Sequence, residues 1–365
     1  MNIKTLLLGI ARSALLLAVA GGLQTNVLAQ GPAGELNLDH AKVKAVIAVQ
    51  RAVTDKLTEQ PEILGTAIGL NPAGIPALVI YVDDHAKGAS EAARALPAEL
   101  RGVPVHVELT DKFRAFAGNT AKQTAPIQLG TSGGWSYDLA NGYCCGGTLG
   151  SLIQVNGVQY ILSNYHVLEA DIVSGGNNLV ATTSQPVIQP GLIDVGCNSA
   201  NAQSVGTLVT LSSLPNNNVD CAVARVVAGM VRADGSILGI GTLSAQTRTA
   251  ALQLGVKKSG RTTGLSSSSI SGLNASIKIT YDNECAGGTA FDKIFTGQIV
   301  ISNKGRKFLN SGDSGSLMVE NVSTKPRAVG LLYAGSTTSA IANPINDVLS
   351  FIGGKLGGTA TMVGN

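Results

Sequence analysis

The sequence has few charged residues and no long run of either sign. Charged side chains make up 13% of its 365 residues, about half the share in an average soluble protein. The 26 basic and 23 acidic side chains are spread along the chain and leave a net charge of +3. A polybasic surface for nucleic acid or anionic lipid is absent, so we expect neither as a partner.

Long apolar runs are also absent after the first 30 residues. At the N-terminus, Lys4 and Arg12 precede an apolar run at 13–20, and Val27-Leu28-Ala29 offers small residues at a cleavage site, the pattern of a secretory signal peptide. A membrane anchor is the alternative, but a span needs about 20 apolar residues and Arg12 interrupts the stretch. We expect residues 1–29 to be a signal peptide and the mature chain, beginning near Gln30, to be secreted or periplasmic, without a membrane span.

Cysteine is scarce and confined to the C-terminal part of the chain. Export permits disulfides, and an odd number of cysteines leaves at least one thiol unpaired within the chain. The spacing does not determine the pairing. Cys144 and Cys145 are adjacent rather than spaced as a chelating pair, and no histidine lies near them, so we expect no metal and no other cofactor. The five cysteines are Cys144, Cys145, Cys197, Cys221 and Cys285.

Glycine, in contrast, is abundant, with 45 residues in the chain, which favours short strands joined by tight turns. Residues 30–110 are different, because apolar residues repeat at helical spacing from Val46 to Leu57 before strand-like segments follow. Their predicted order of helix, strand, strand, helix, strand suits a small α/β domain. The polar, glycine-rich segment 111–141 is predicted to be a linker.

From 142 to 354 the sequence is almost wholly strand and turn. Asn156-Gly157, between two apolar runs, is a strong signal for a two-residue hairpin turn. Short strands at regular spacing predict a mainly β sandwich or barrel rather than a parallel sheet. Residues 355–365 are interpreted as a tail.

The most informative stretch runs from Asn310 to Ser316. Ser314 lies between glycine-containing turns at the start of an apolar strand, where backbone NH groups can converge on one point. A serine hydroxyl barely ionises at neutral pH, so a base must lie within hydrogen-bond reach. We predict Ser314 as the nucleophile and His166 as its general base, because His166 is the one histidine of the strand-rich part. The other three, His40, His85 and His106, precede it.

The acid of a catalytic triad fixes the imidazole tautomer and stabilises the imidazolium. Asp220 stands at the start of an otherwise apolar strand, a position that a carboxylate avoids unless it has a partner. Asp194, in the loop 189–194, is the alternative, although an aspartate in a turn is often only solvated. We predict Asp220 as the acid, which gives the chain order His, Asp, Ser.

These residues resemble a known family. His166 after a strand, Asp220 at the start of a strand, GDSG at 312–315 and SGRTTG at 259–264 resemble the chymotrypsin-like (trypsin-fold) serine peptidases, particularly the secreted bacterial, streptogrisin-like branch. The resemblance covers about residues 144–350. It implies two six-stranded antiparallel β-barrels, with the triad in the cleft between them.

The resemblance also implies roles for the residues around the nucleophile. The backbone NH groups of Gly312 and Ser314 would form the oxyanion hole, and Asp313 would organise the turn rather than join the triad. The chain departs from the family pattern at His166, which lies in Asn-Tyr-His-Val, and at Ser316, which replaces the usual second glycine.

Substrate-binding residues are predicted on both sides of the nucleophile. The segment that includes Phe308 offers no acid where the trypsin branch keeps one, so a strong preference for Arg or Lys is not expected. Ala334, Gly335 and Ser336 follow a strand and resemble the edge to which a substrate backbone adds as an extra strand. We expect a pocket for an apolar or small side chain.

Three functions fit this pattern. The first is an exported serine endopeptidase that hydrolyses polypeptides through an acyl-enzyme. The second is an esterase, since lipases and esterases also contain Gly-Asp-Ser, but those place the serine early and the histidine last on an α/β sheet. The third is a trypsin-fold binding protein that keeps the sequence of the site without a formed cleft.

The N-terminal domain has two interpretations. Residues 30–110 are either a pro-domain that assists folding or blocks the cleft, or a permanent recognition module. The position before a flexible linker favours the first, and the absence of a dibasic processing site in 111–141 favours the second.

Overall fold

The computed structural model describes residues 36–84, 86–110, 112–113, 119–140, 143–169, 181–281 and 291–365. The predicted signal peptide, His85 and Cys285 lie outside the described residues. The protein is mainly β, as predicted. Across the described ranges, no helix combines the length and the apolar character that a membrane crossing requires.

The N-terminal part forms a small α/β unit in the predicted order. Helix α1 buries a stripe of valines and Leu57 against the sheet, because these residues recur every three or four positions. Strands β1 and β2 are joined by a turn in which the Asn71 side chain accepts from the NH groups of Ala73 and Ile75, at 3.0 Å each. The elements are α1 (Ala41–Thr58), β1 (Ile63–Leu70), β2 (Pro76–Asp83), α2 (Ala89–Ala95), β3 (Glu99–Leu100) and β4 (Val103–Thr110).

The middle of the chain supplies short strands and a helix of one turn. The hairpin predicted at Asn156-Gly157 is present, and both residues have positive φ, of 49° and 78°. The elements are β5 (Thr131–Trp135), β6 (Leu139–Ala140), β7 (Tyr143–Cys144), β8 (Gly147–Leu149), β9 (Ser151–Val155), β10 (Val158–Ser163), α3 (Tyr165–Leu168), β11 (Pro186–Gln189), β12 (Gln203–Val209) and β13 (Ala222–Val226), with 3-10 turns at Leu192–Asp194 and Ser199–Asn201.

The C-terminal part contains longer strands and the helix α4. Helix α4 buries Ile345, Val348 and Ile352 at helical spacing and ends at Gly357, whose φ is 68°. The elements are β14 (Gly255–Gly260), β15 (Gly264–Tyr281), β16 (Phe291–Ser302), β17 (Leu317–Glu320), β18 (Ala328–Gly335), β19 (Ser339–Pro344), α4 (Ile345–Leu356) and β20 (Ala360–Met362), with a 3-10 turn at Lys304–Arg306.

The strands pair into two large sheets. The first has ten strands in the order β14-β17-β18-β19-β16-β15-β1-β2-β4-β3. Because β14 also pairs with β15, its first six strands close into a ring, and the four strands of the α/β unit extend from it. The second sheet has eight strands in the order β20-β9-β10-β13-β12-β11-β5-β8. The N-terminal unit therefore shares a sheet with the C-terminal strands.

Two segments differ from their predictions. Strand β5 lies inside the segment predicted to be a linker, and β20 lies inside the predicted tail and pairs with β9. Strand β5 shows no alternation of apolar residues. Its glycines instead allow close packing of the backbone, because a Cβ on Gly133 would lie 2.4 Å from the Leu149 side chain. A strand built from glycine and small polar residues has the composition of a loop.

Cys144 in β7 forms a disulfide with Cys197. Cys145 is also disulfide-bonded. Cys221 is a free, buried thiol, which agrees with the expectation that one cysteine remains unpaired.

Candidate active site

His166 and Asp220 meet because their strands are neighbours. His166 lies in α3, which begins two residues after β10 ends, and Asp220 lies just before β13. Strands β10 and β13 are antiparallel partners with Ser163 opposite Ala222, so both residues emerge at the same end of the pair. The His166 Nδ1 atom lies 2.6 Å from Asp220 Oδ2, and the two side chains are 17% and 0% exposed.

The Asp220 carboxylate is buried among hydrogen-bond donors. Its Oδ1 atom accepts from the Tyr165 NH at 2.7 Å and from the His166 NH at 3.4 Å. Its Oδ2 atom accepts from the Tyr281 hydroxyl at 2.9 Å. A buried carboxylate is tolerated when charge and hydrogen bonds compensate it, and here four donors do so.

The backbone of Asp220 is held from both sheets. The Asn164 side chain donates to the Asp220 carbonyl at 2.7 Å, and the Asp220 NH donates to Asn343 Oδ1 at 2.9 Å. Asn343, in β19, in turn donates to Gln298 of β16 at 2.6 Å. The acid of the eight-stranded sheet is thereby tied to the ten-stranded one.

Asp194, the alternative acid, lies elsewhere. Its carboxylate forms a bidentate pair with Arg261 and accepts from the Ser132 hydroxyl. The structure places Asp220, and not Asp194, beside His166.

Ser314 lies on a tight turn before β17. Gly312 and Gly315 have φ values of 72° and 89°, a region that favours glycine. A Cβ on Gly315 would also lie 2.3 Å from both the Ser163 hydroxyl and the Thr148 carbonyl. Thr148, in β8, holds the turn from the other sheet: its NH donates to the Ser314 carbonyl at 2.8 Å and its hydroxyl to the Gly312 carbonyl at 2.7 Å.

The Ser314 hydroxyl does not donate to His166 in this structure. Its Oγ atom donates to the Tyr333 carbonyl at 3.4 Å. His166 Nε2 is buried and has no hydrogen-bond partner among the described residues.

The turn leaves two donors unused. Within the described part of the chain, no hydrogen bond takes the backbone NH of Gly312 or of Ser314. Asp313 points away from His166 and accepts from the NH groups of Asn310 and Thr262, at 2.9 Å each. This is the turn-organising position that the resemblance implied for Asp313.

An ion pair that the sequence analysis missed supports Asp313. Lys258 Nζ lies 3.0 Å from Asp313 Oδ2, and both side chains are 0% exposed. Burial lowers the pKa of Lys258, and the Asp313 carboxylate opposes that shift. The alternation of side chains along β14 could have indicated that Lys258 is buried. Lys258 lies two residues after the buried Val256, so both face the core.

The predicted substrate-binding residues are buried in this structure. Phe308 is 2% exposed and packs in the core beside Leu309, and Ala334 and Ser336 are both 0% exposed. The Ser336 NH donates to the Ser339 carbonyl at 2.7 Å, so Gly335 and Ser336 lie in a tightly hydrogen-bonded bend.

Residues of the N-terminal part cover this edge. The Thr110 hydroxyl, at the end of β4, lies 2.8 Å from the Ser336 hydroxyl and 2.6 Å from that of Thr338. Phe113 is 1% exposed and belongs to an apolar cluster that contains Tyr333 and Ala334. Residues of the N-terminal part therefore contact the edge that was predicted to receive a substrate.

Among the described residues, no group of three or more His, Cys, Asp or Glu side chains is placed to hold a metal ion. No protein-family model matches the sequence, and no curated protein matches it.

Solved structures of bacterial serine proteases are similar to this chain. Thermobifida fusca protease A has 18% identity and a TM-score of 0.41, with 66% of this chain and 99% of that chain covered. Cellulomonas bogoriensis chymotrypsin has 20% identity and a TM-score of 0.38, with 66% and 99% covered. A glutamic acid specific serine protease, which uses a histidine triad in substrate binding, has 16% identity and a TM-score of 0.41, with 65% and 100% covered. The resemblance predicted from the sequence is to this kind of protein.

Proposed function

We propose that this chain is an exported serine endopeptidase in which Ser314, His166 and Asp220 form the triad. The proposal is carried by the buried His166–Asp220 pair, 2.6 Å apart, together with a serine on a turn with two unused NH groups. The signal-peptide pattern of residues 1–29 supports export.

The proposed mechanism follows from these positions. Ser314 Oγ turns from the Tyr333 carbonyl towards His166 Nε2, which removes its proton as the oxygen attacks a peptide carbonyl. Asp220 stabilises the imidazolium that forms. The NH groups of Gly312 and Ser314 stabilise the oxyanion, His166 protonates the leaving amine, and water then hydrolyses the acyl-enzyme.

We also propose that the peptidase part consists of two six-stranded barrels. Strands β8 and β9 are separated only by Gly150, and a Cβ on Gly150 would lie 2.0 Å from the Gly315 carbonyl oxygen. If β8 and β9 are counted as one strand bent at Gly150, the second sheet also closes into a ring of six. The peptidase part then extends beyond 142–354 to include β5 and β20.

The two alternatives predict different structures. An α/β esterase is disfavoured because the chain is mainly β. A binding protein without catalytic function has no need for a buried, fully bonded Asp220 or for NH donors kept free beside Ser314. Covalent labelling discriminates between enzyme and binding protein.

We expect a fluorophosphonate probe to add one equivalent to the protein at Ser314. Intact mass would show labelling of the wild type and none of Ser314→Ala. The matched control is Ser316→Ala, because Ser316 is equally buried and its hydroxyl has no partner among the described residues. Failure of the folded wild type to react, with the N-terminal unit cleaved away, would favour the binding protein.

We further propose that residues 30–110 act as a pro-domain that blocks the cleft. The contacts of Thr110 with Ser336 and Thr338 support this role. The unit is also built into the fold, since β1 pairs with β15 and the Asn274 side chain donates to Gln50 of α1 at 2.7 Å. This shared sheet supports an additional role in folding of the C-terminal strands.

Phe113→Ala is expected to increase the rate of fluorophosphonate labelling of the uncleaved chain about tenfold, since it removes apolar contact from the closed state. The ring packs edge-to-face on Tyr81 at 5.5 Å. Leu109→Ala is the control, because Leu109 lies in the last residues of β4, shortly before Phe113 in the chain, and is 52% exposed. Equal rates in Phe113→Ala, Leu109→Ala and the wild type would indicate a permanent module that leaves the cleft open.

A further inference from the structure

Tyr281 contacts both members of the His166–Asp220 pair. Its hydroxyl donates to Asp220 Oδ2 at 2.9 Å, the same oxygen that lies 2.6 Å from His166 Nδ1. Its ring meets the His166 imidazole edge-on, with centroids 5.9 Å apart and an interplanar angle of 63°. One side chain therefore reaches the acid through a hydrogen bond and the base through a ring contact.

The hydroxyl of Tyr281 is a hydrogen-bond donor to Asp220. Tyr281 is 7% exposed, and burial together with the Asp220 charge raises its pKa well above the usual value. It therefore keeps its proton throughout the neutral range. A carboxylate offers several acceptor sites, and each donor that is held in place restricts its rotation.

Tyr281 comes from the other sheet. It is the last residue of β15, opposite Phe291 of β16, in the ten-stranded sheet. His166 and Asp220 belong to the eight-stranded sheet, and 61 residues separate Asp220 from Tyr281. The orientation of the acid is thus set by a side chain that crosses from one sheet to the other.

We propose that Tyr281 is a positioning residue for the reaction of Ser314, acting through Asp220. This inference rests on the proposed hydrolytic function. Without the hydroxyl, Oδ2 keeps only the imidazole as a donor, the carboxylate turns more freely, and the aligned tautomer of His166 is populated less.

Tyr333 provides a matched control. It is also a buried tyrosine of the same apolar cluster, and the Asp220 charge also raises its pKa, after burial. Its hydroxyl, however, has no hydrogen-bond partner among the described residues. Tyr333→Phe thus removes a nearby buried hydroxyl without removing a bond to Asp220.

The test compares wild type, Tyr281→Phe and Tyr333→Phe, each prepared as the folded full chain and assayed after the N-terminal unit has been cleaved. We expect Tyr281→Phe to lower kcat about tenfold with little change in KM, since a hydrogen bond to a charged group is lost. The other titratable groups that face Asp220, namely Glu169, Cys221 and Tyr333, remain in place.

A second readout does not depend on activity. The proton on His166 Nδ1 is observable by NMR, and we expect its resonance to move in Tyr281→Phe and to stay in Tyr333→Phe. An unchanged resonance and an unchanged kcat in Tyr281→Phe would overturn the inference. If the cleaved wild type is neither active nor labelled, the hydrolytic function fails, and the resonance alone decides whether Tyr281 orients the pair.

Discussion

His166→Ala is expected to lower kcat for peptide hydrolysis by about 10⁴- to 10⁶-fold. In the proposed mechanism the imidazole takes the proton from Ser314, and its Nδ1 atom lies 2.6 Å from Asp220. Because the triad acts as a unit, Ser314→Ala and the double variant should lose no more than the single histidine variant. Initial rates on a fluorogenic peptide library, with the N-terminal unit cleaved, measure the loss.

The control for a lost imidazole is His40→Asn. The His40 ring caps α1 by accepting from the Lys42 NH at 3.3 Å, and asparagine is a favourable N-cap that keeps an acceptor there. This variant should retain full activity. Retention of more than a tenth of the activity in His166→Ala, with an unchanged circular dichroism spectrum, would remove His166 from the mechanism.

Much of the site follows from local sequence because each member stands at the end of a strand. Ser314, His166 and Asp220 each carry a signal within a few residues: glycine-flanked serine, histidine after an apolar run, acid before one. The supporting residues lack such signals. Tyr281 ends an ordinary strand, and its role depends on a contact across 61 residues and two sheets. For Lys258, the only signal in the sequence is its position two residues after the buried Val256, which places both on the same face of β14.

The fold could be predicted as a class, and its connections could not. Alternation and turns indicated a mainly β protein, but no local pattern tells that β1 pairs with β15 or that Thr110 reaches Ser336, 226 residues away. Backbone hydrogen bonds between strands are the same for every sequence, so register depends on which side chains fit together in three dimensions. Small-residue strands such as β5 are the hardest case, because their burial rests on close backbone approach rather than on apolar side chains.

Lys258→Met is expected to lower the free energy of unfolding by about 3 to 5 kcal/mol. The substitution leaves the Asp313 carboxylate buried without its cation, and both side chains are 0% exposed in the pair. Urea denaturation measures the loss. Lys257→Met is the matched control, because Lys257 faces the other side of β14 and its Nζ atom donates to the Val322 carbonyl at 2.8 Å in an exposed contact. A surface contact of this kind contributes within about 0.5 kcal/mol.

A compensating variant separates charge from geometry. In the double variant Lys258→Met, Asp313→Asn, neither member of the ion pair is charged. The Asn side-chain oxygen can still accept from the Thr262 NH, which donates to the Asp313 carboxylate at 2.9 Å in the wild type. We expect the free energy of unfolding of this double variant to be about 2 kcal/mol above that of Lys258→Met. We also expect the fluorophosphonate probe to label its Ser314 as in the wild type. Recovery of stability without labelling would mean that the negative charge itself shapes the nucleophile turn. A Lys258→Met protein as stable and as reactive as the wild type would show that the ion pair does not hold the turn.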